Sequence, residues 1–277
     1  GKREVGGGLL KGVERGGTGR AEMVLGGTMG FMQTNFTAPW TWVDGERASL
    51  KTKHPEFSDP AVREAMNLLV DRKAIHDHIY GRTGLATANF LNNPERFRSK
   101  NTSWEFSIEK ANHALDAAGW KRGSDGVRAK GARKLKFVFQ TSINAPRQKT
   151  QAIIKQACQK AGIELELKSV TASVFFSSDV ANPDTYTKFY CDLQMYTTTM
   201  PQPDPAVFMD QYLSWQAATK ANKGKGRNRP HWQNTTAYGR ERVMQPSATS
   251  PAGTTRPRAP HDKAARSACQ QTIRDIG

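Results

Sequence analysis

The stretch from Leu135 to Val170 limits the folds open to this chain more than any other. Leu135–Thr141 (LKFVFQT) alternates apolar and polar residues with period two, as a half-buried strand does. Pro146 to Ala161 reads as a helix, with Ile153, Ile154 and Ala157 facing inward and Gly162 ending it. Ile163–Val170 (IELELKSV) alternates again. Strand, helix and strand in such short succession form a βαβ unit, whose strands run parallel through a right-handed crossover. The expected fold is therefore α/β.

Other elements are legible on either side. Ala21–Phe36 reads as extended, with a bend at Gly26–Gly27. At Ser58–Asp59–Pro60 a helix should start, because Asp59 can cap it and Pro60 suits its first position. Val62, Met66 and Leu69 follow at helical spacing. Asp71 restarts a helix carrying Ile75 and Ile79, which Gly81 stops. Ser107 caps another, with Ala111, Ala114, Leu115 and Ala118 on one side and Gly119 as terminator. Asp192–Thr197 (DLQMYT) adds a further strand.

The ends differ in composition. Residues 1–20 are Gly-rich and basic, and after Thr219 come ANKGKGRNRP and PSATSPAGTTRPRAP, with almost no aliphatic residues. Such segments bury too little apolar surface to offset the entropy of ordering. Lysine and arginine total 41 against 25 acidic residues, a formal net charge of +16. That excess suits an anionic partner such as nucleic acid or a membrane surface, but it bears on association and not on fold. No run approaches the roughly 20 apolar residues of a membrane-spanning helix. The N-terminus lacks the apolar stretch of a signal peptide, so the chain begins after such a segment or is a piece of something longer. Cys158, Cys191 and Cys269 are too scattered for a disulfide framework and leave the redox compartment open.

Enzyme motifs are missing. Gly7 to Gly12 has phosphate-loop spacing, but Val13 stands where the lysine belongs. No dinucleotide fingerprint, nucleophile elbow or zinc-protease pair occurs, so no catalytic residue, metal ligand set or cofactor is expected. His76 and His78, two apart on a helix, point to different sides and read as surface histidines. Cys158 reads as a small core residue. Glu164 and Glu166 share the solvated face of a strand and are not an acid/base pair. Lys220–Arg229 could attract phosphates or be a solvated loop; it lacks interleaved aromatics, although His231 and Trp232 follow. The sequons at Asn35, Asn101 and Asn234 carry meaning only in a glycosylating pathway.

One resemblance is more specific than any of these. Asp59–Pro60–Ala61–Val62–Arg63–Glu64–Ala65–Met66–Asn67, continuing to Asp71–Arg72, resembles the D-x-x-V-R-x-A-x-N-x-x-x-D-R signature of extracytoplasmic solute-binding proteins of the peptide and nickel ABC transporters. Further motifs follow in family order. They are Lys110–Ala111 to Leu115–Asp116–Ala117–Ala118–Gly119–Trp120, then Asp125–Gly126–Val127–Arg128 with Gly131, then Ala161–Gly162–Ile163, and finally Pro203–Asp204–Pro205. The similarity runs from about Ala21 to Trp215.

The resemblance implies a type II periplasmic-binding-protein-like α/β fold, mainly the second lobe and hinge strand of a two-lobed protein that closes on its solute. Residues 21–40 would be a hinge-crossing strand, 41–205 the second lobe, 206–233 a return toward the first lobe, and 234–277 a partly disordered Ser/Thr/Pro/Arg-rich tail. Arg63 and Arg72 would tie helix to sheet or cap carbonyls. The implied function is capture of a peptide or other small solute for an ABC permease, in the periplasm or outside the cytoplasm, membrane-associated through that permease. Tyr196, Thr197, Thr198 and Thr199, with Gln202 and Asp204, would line the interlobe cleft, and Asn89 with Phe90 would add to it. The other reading of Tyr196–Thr199 is an ordinary strand-to-loop turn. On the ligand reading, Tyr196→Ala weakens solute binding and leaves melting nearly unchanged.

Two departures from the family pattern matter. Pro201 stands where peptide binders often carry the aspartate that pairs with an α-ammonium group, so the solute would be uncharged or held differently. His231–Trp232–Gln233–Asn234 is similar to the family's W-x-N, yet the pattern then lapses until Asp262–Arg266. The competing function is a basic chain binding nucleic acid or another polyanion; on the resemblance, nucleic acid is an unlikely partner.

Overall fold

A computed structural model of the chain describes residues 15–16, 26–179, 181–201 and 204–233. In chain order the elements are β1 (Thr28–Thr34), a hairpin of β2 (Trp42–Val43) and β3 (Glu46–Arg47), and helices α1 (Pro60–Leu68), α2 (Arg72–Ile75) and α3 (Ile108–Ala117). Three short strands follow, β4 (Lys121–Arg122), β5 (Arg128–Lys130) and β6 (Arg133–Lys134). Then come β7 (Lys136–Ser142), α4 (Ala145–Lys160), β8 (Glu164–Val170), α5 (Ala172–Phe175), β9 (Leu193–Thr199) and α6 (Ala206–Met209). Residues 21–25 of the expected extended segment, Gln202, Pro203, Asn234 and Cys269 lie outside the described residues, as do most of 1–20 and all of 234–277.

The βαβ unit forms as its periodicity predicts. β7 and β8 are parallel neighbours, with Phe137 beside Leu165 and Phe139 beside Leu167. Asn144 caps α4 by accepting from Arg147 N at 3.2 Å. Gly162 turns the chain at φ +80°, a conformation glycine adopts without penalty. Ile154, Ala157 and Cys158 enter the core, whereas Ile153 is only half-buried. β9 joins β7 in parallel and pairs antiparallel with β1, giving the order β1-β9-β7-β8.

Alternation splits this sheet into two faces. Phe137, Phe139, Leu165, Leu193 and Met195 share one core with Val62 and Met66 of α1, Leu115 of α3 and Ile154 of α4. Burying each such side chain fully stabilises the fold by roughly 1.5–3 kcal/mol. The opposite face carries Gln140, Gln194 and Tyr196, and the segment between α5 and β9 covers it. Gln140 Nε2 donates to Asp184 O at 2.8 Å and Gln194 Nε2 to Tyr186 O at 3.1 Å.

The caps explain where helices begin. Asp59 Oδ1 accepts from Ala61 N, and its second oxygen takes the Trp120 indole N–H at 3.0 Å. Partial burial opposes ionisation of Asp59, but these hydrogen bonds outweigh it and hold the carboxyl below its usual range. Arg63 caps a carbonyl as expected, donating to Phe57 O at 2.6 Å. Arg72 reaches Asn67 Oδ1 instead, at 2.9 Å, so it braces the α1–α2 corner. Cys158 is buried and its thiol is pushed up to about 12, which makes it an inert core residue. Glu164 and Glu166 are exposed, and Glu164 pairs with Lys136 at 2.8 Å.

Two sequence readings change with the structure. The Asn35 side chain is fully buried, donates to Phe189 O at 2.7 Å and accepts from Thr37, so this sequon is closed to a glycan in the folded chain. The 220–229 stretch is not a uniformly solvated loop. Its lysines are exposed, but Asn228 turns inward and donates to Leu213 O and Trp232 O.

That inward turn also buries His231, whose Nε2 lies 2.7 Å from Ala218 O and Nδ1 3.0 Å from Thr37 Oγ1. Burial holds its pKa below the usual value, so the folded chain protonates it less readily than the unfolded chain does. The unfolded chain takes up that proton below about pH 6.5 and the folded one only at lower pH, so acidification removes stability, by at most about 1.4 kcal/mol per pH unit. Melting temperatures measured from pH 7.5 to 5.5 should fall, and His231→Gln should flatten the slope. An unchanged slope in the variant would assign the effect elsewhere.

Candidate functional site

β1 and β9 form a ribbon whose open end carries most of the expected ligand residues. The register sets Thr28 opposite Thr199, Met29 opposite Thr198, Gly30 opposite Thr197 and Phe31 opposite Tyr196. Residues opposed in this way share a face. Thr28, Gly30, Thr197 and Thr199 lie together on an exposed face, with the Thr28 and Thr199 hydroxyls 3.0 Å apart. Gly30 contributes no side chain, which leaves Thr197 uncovered.

The other face is aromatic. Ring centroids run in a row from Phe208 to Phe90 at 5.0 Å, Phe90 to Phe31 at 5.4 Å, and Phe31 to Tyr196 at 4.7 Å. The row continues from Tyr196 to Tyr186 at 5.3 Å and from Tyr186 to Phe176 at 5.3 Å. These spacings suit edge-to-face and offset pairs. The Arg229 guanidinium sits 4.2 Å from the Tyr186 ring centroid and donates to Tyr186 Oη at 3.0 Å and Tyr196 Oη at 3.5 Å. Beside the row, Met29, Phe90, Leu91, Met200 and Phe208 line a shallow recess.

The structure distributes the expected ligand residues unevenly. Thr197 and Thr199 are exposed and Thr198 is half-buried. Tyr196 is only 3% exposed, its hydroxyl donates to Gln33 Oε1 at 3.3 Å, and burial raises its pKa. Removing a ring so enclosed perturbs packing, so Tyr196→Ala cannot leave melting unchanged. Tyr196→Phe keeps the ring and should cost about 1 kcal/mol, the worth of one hydrogen bond, in urea unfolding. A far larger loss would mean that the long contact from Arg229 to this hydroxyl contributes as well.

Asp204 is exposed just past β9, and Gln202 lies outside the described residues. The Asn89 amide is engaged at both ends with Ser99, accepting from its N at 2.8 Å and donating to its O at 3.2 Å, which shapes the loop presenting Phe90. Phe31, Tyr186, Phe208 and Arg229 escaped the sequence reading. They come from four separate segments and share no local spacing, so only the composition of each segment could have hinted at them.

The family described as "Bacterial extracellular solute-binding proteins, family 5 Middle" matches residues 25–220. The chain belongs to this family. Protein XP55 of Streptomyces lividans is 30% identical over 117 residues, 42% of this chain and 22% of that protein. Among solved structures, the oligopeptide-binding protein AppA of Bacillus subtilis, in complex with a nonapeptide, superposes with a TM-score of 0.66 at 20% identity. NikA of Staphylococcus aureus, in complex with Ni(L-His)2, does so with a TM-score of 0.55 at 19% identity. Each covers 91% of this chain and only 44% of its own. At these identities the structural likeness speaks to fold, and the fold is the type II periplasmic-binding-protein-like one. The family 5 chain thus spans under half the length of these relatives. Family 5 members bind solutes and are not enzymes; they act outside the cytoplasm. Among the described residues no helix is long and apolar enough to cross a membrane.

Proposed function

We propose that the chain is the second lobe and hinge strand of a solute-binding component of an ABC importer, presenting one wall of an interlobe cleft. The observation that carries this reading is the open ribbon end, where Thr198 shares the face of the aromatic row and the exposed Thr197 and Thr199 lie on the opposite face. Apolar walls with a few placed polar groups are how proteins enclose small solutes. Tyr196 stiffens that wall, Asp204 extends its rim, and Asn89 holds Phe90 in place. The occupant is a peptide or another small solute, delivered to a permease without chemical change.

The test is thermal melting with a panel of small solutes, beside retention on immobilised DNA across a salt series. One solute class should raise the melting temperature, as a ligand of the native state does by mass action. Steeply salt-dependent retention with no solute response would instead identify a polyanion binder and end this reading. A cleft with one wall covers less of its ligand than the usual roughly 70–90%, so affinity for this chain alone should be weak.

A further inference from the structure

We propose that the β2–β3 hairpin is a membrane foot, whose two tryptophans enter the surface of a bilayer that carries anionic lipid. This surface is independent of the candidate cleft. Trp40 is anchored to Asp192, just before β9, whereas Thr197–Thr199 lie at the far end of that strand, roughly 20 Å away.

Trp42 and Trp40, 67% and 55% exposed, are the two most exposed large hydrophobic side chains among the described residues, and they stand two positions apart. Contiguous exposed apolar surface of this kind marks a contact site. The backbone holds the pair outward. Asp44 and Gly45 take φ +53° and +71°, as a tight two-residue turn between antiparallel strands requires, so the hairpin is short and stiff. Trp42 lies opposite Arg47, whose guanidinium packs on both the Trp40 and Tyr190 rings, 5.0 and 4.6 Å from their centroids. Arg47 Nε donates to Pro39 O at 2.7 Å, which fixes the guanidinium against those rings.

The bonding of Trp40 suits an apolar medium. Its indole N–H is already donated to Asp192 at 2.8 Å, so the part of the ring left in water is all carbon. Moving that part into a membrane interface strips no hydrogen bond from it. Tryptophans gather at this depth because an apolar ring can enter while the rest of the residue stays wet.

The rim of the hairpin is basic. Lys51 pairs with Asp44 at the tip, Lys220 donates its backbone N–H to Glu46 Oε1 at 2.6 Å, and Lys188 lies 5.4 Å from the Tyr190 centroid. Together with Arg47, these three lysines outnumber the two carboxylates, Asp44 and Glu46. Contact surfaces between proteins are poor in lysine. Lysines around exposed tryptophans instead match anionic headgroups, each adding to the attraction.

The test uses the 277-residue chain and vesicles of phosphatidylcholine, alone or with about one quarter phosphatidylglycerol. The chain should sediment with the mixed vesicles and hardly with the neutral ones, and brominated acyl chains should quench its tryptophan emission. Trp42→Phe should remove about half of that quenching, since Trp40 remains. Trp42→Ala should weaken binding by about tenfold, the effect of returning one large apolar side chain to water. Ile143→Ala, at a similarly exposed site just past β7, should change nothing. An equal loss there would overturn the foot. Adsorption that needs phosphatidylglycerol, ignores Trp42 and shows no quenching would be attraction by the net charge of +16, and would overturn it too. So would an absence of binding to either vesicle. A dimer that depends on Trp42, with no vesicle binding, would give this face to a second copy and overturn the lipid assignment. Absence of quenching in the wild type overturns the proposal whatever a variant does.

Discussion

Asp192→Ala should remove about 4 kcal/mol or more of stability, a large share of what holds a domain together. Asp192 is buried where β9 begins and gathers three donors from distant parts of the sequence. Its Oδ1 accepts from Trp40 Nε1 at 2.8 Å and from His54 Nε2 at 3.1 Å, while Oδ2 accepts from Val138 N at 2.7 Å. Each buried donor left without a partner costs roughly 1–3 kcal/mol. Trp40 is half-exposed and can turn to water, so His54 and Val138 carry most of the loss. A domain has only about 5–15 kcal/mol in total. Asp192→Asn separates the parts: its carbonyl oxygen still serves Trp40 and His54, but its NH2 faces the Val138 N–H. Urea unfolding should rank wild type above Asn and Asn above Ala. A loss below about 1 kcal/mol in the alanine variant would show that water replaces the carboxylate and that the hub is dispensable.

Arg128→Met should cost about 3–5 kcal/mol, the range seen when one partner of a buried charged cluster is removed. Arg128 is 3% exposed and donates to Trp120 O at 2.6 Å, Ala161 O at 2.8 Å and Asn112 Oδ1 at 2.8 Å, besides Asp116. These bonds fasten the end of α3 to the end of α4, two of the helices that share the core on one face of the sheet. Methionine fills the stem's volume but leaves those acceptors without a donor. Asp116 is at the surface and turns to water, so Asp116→Asn should cost far less. Equal losses in the two variants, measured by urea unfolding, would mean that the ion pair and not the buried carbonyls is what matters.

Both residues show how far sequence reading reaches. Arg128 is visible as part of a motif after Asp125–Gly126, yet its three carbonyl and amide partners emerge only when Ala161, Trp120 and Asn112 are brought together in space. Asp192 reads as the first residue of a strand, with nothing to mark it as a hub. The caps at Asp59 and Ser107, by contrast, are legible because a cap and the N–H it receives lie two or three residues apart.

The same division holds for the candidate site. The threonines at the end of β9 stand out as a polar run leaving an apolar strand. Burial of Tyr196 does not, because period two marks a face without saying what covers it. Phe31 reaches Tyr196 through the pairing of β1 with β9, strands separated by more than half the chain, and Arg229 arrives from a stretch whose composition suggested phosphate attraction or a solvated loop.

From its residues alone, this chain determined the βαβ unit, the starts of its longer helices and the order of motifs that marks its family. These rest on backbone hydrogen bonds and side-chain periodicity spanning a few positions. Tertiary structure alone decided which strand lies beside which, where Asp192 and Arg128 find their partners, and that Arg229 stands against the aromatic row. Such contacts join segments far apart along the chain. Their energies depend on burial and on converging geometry, which no local pattern of residues encodes.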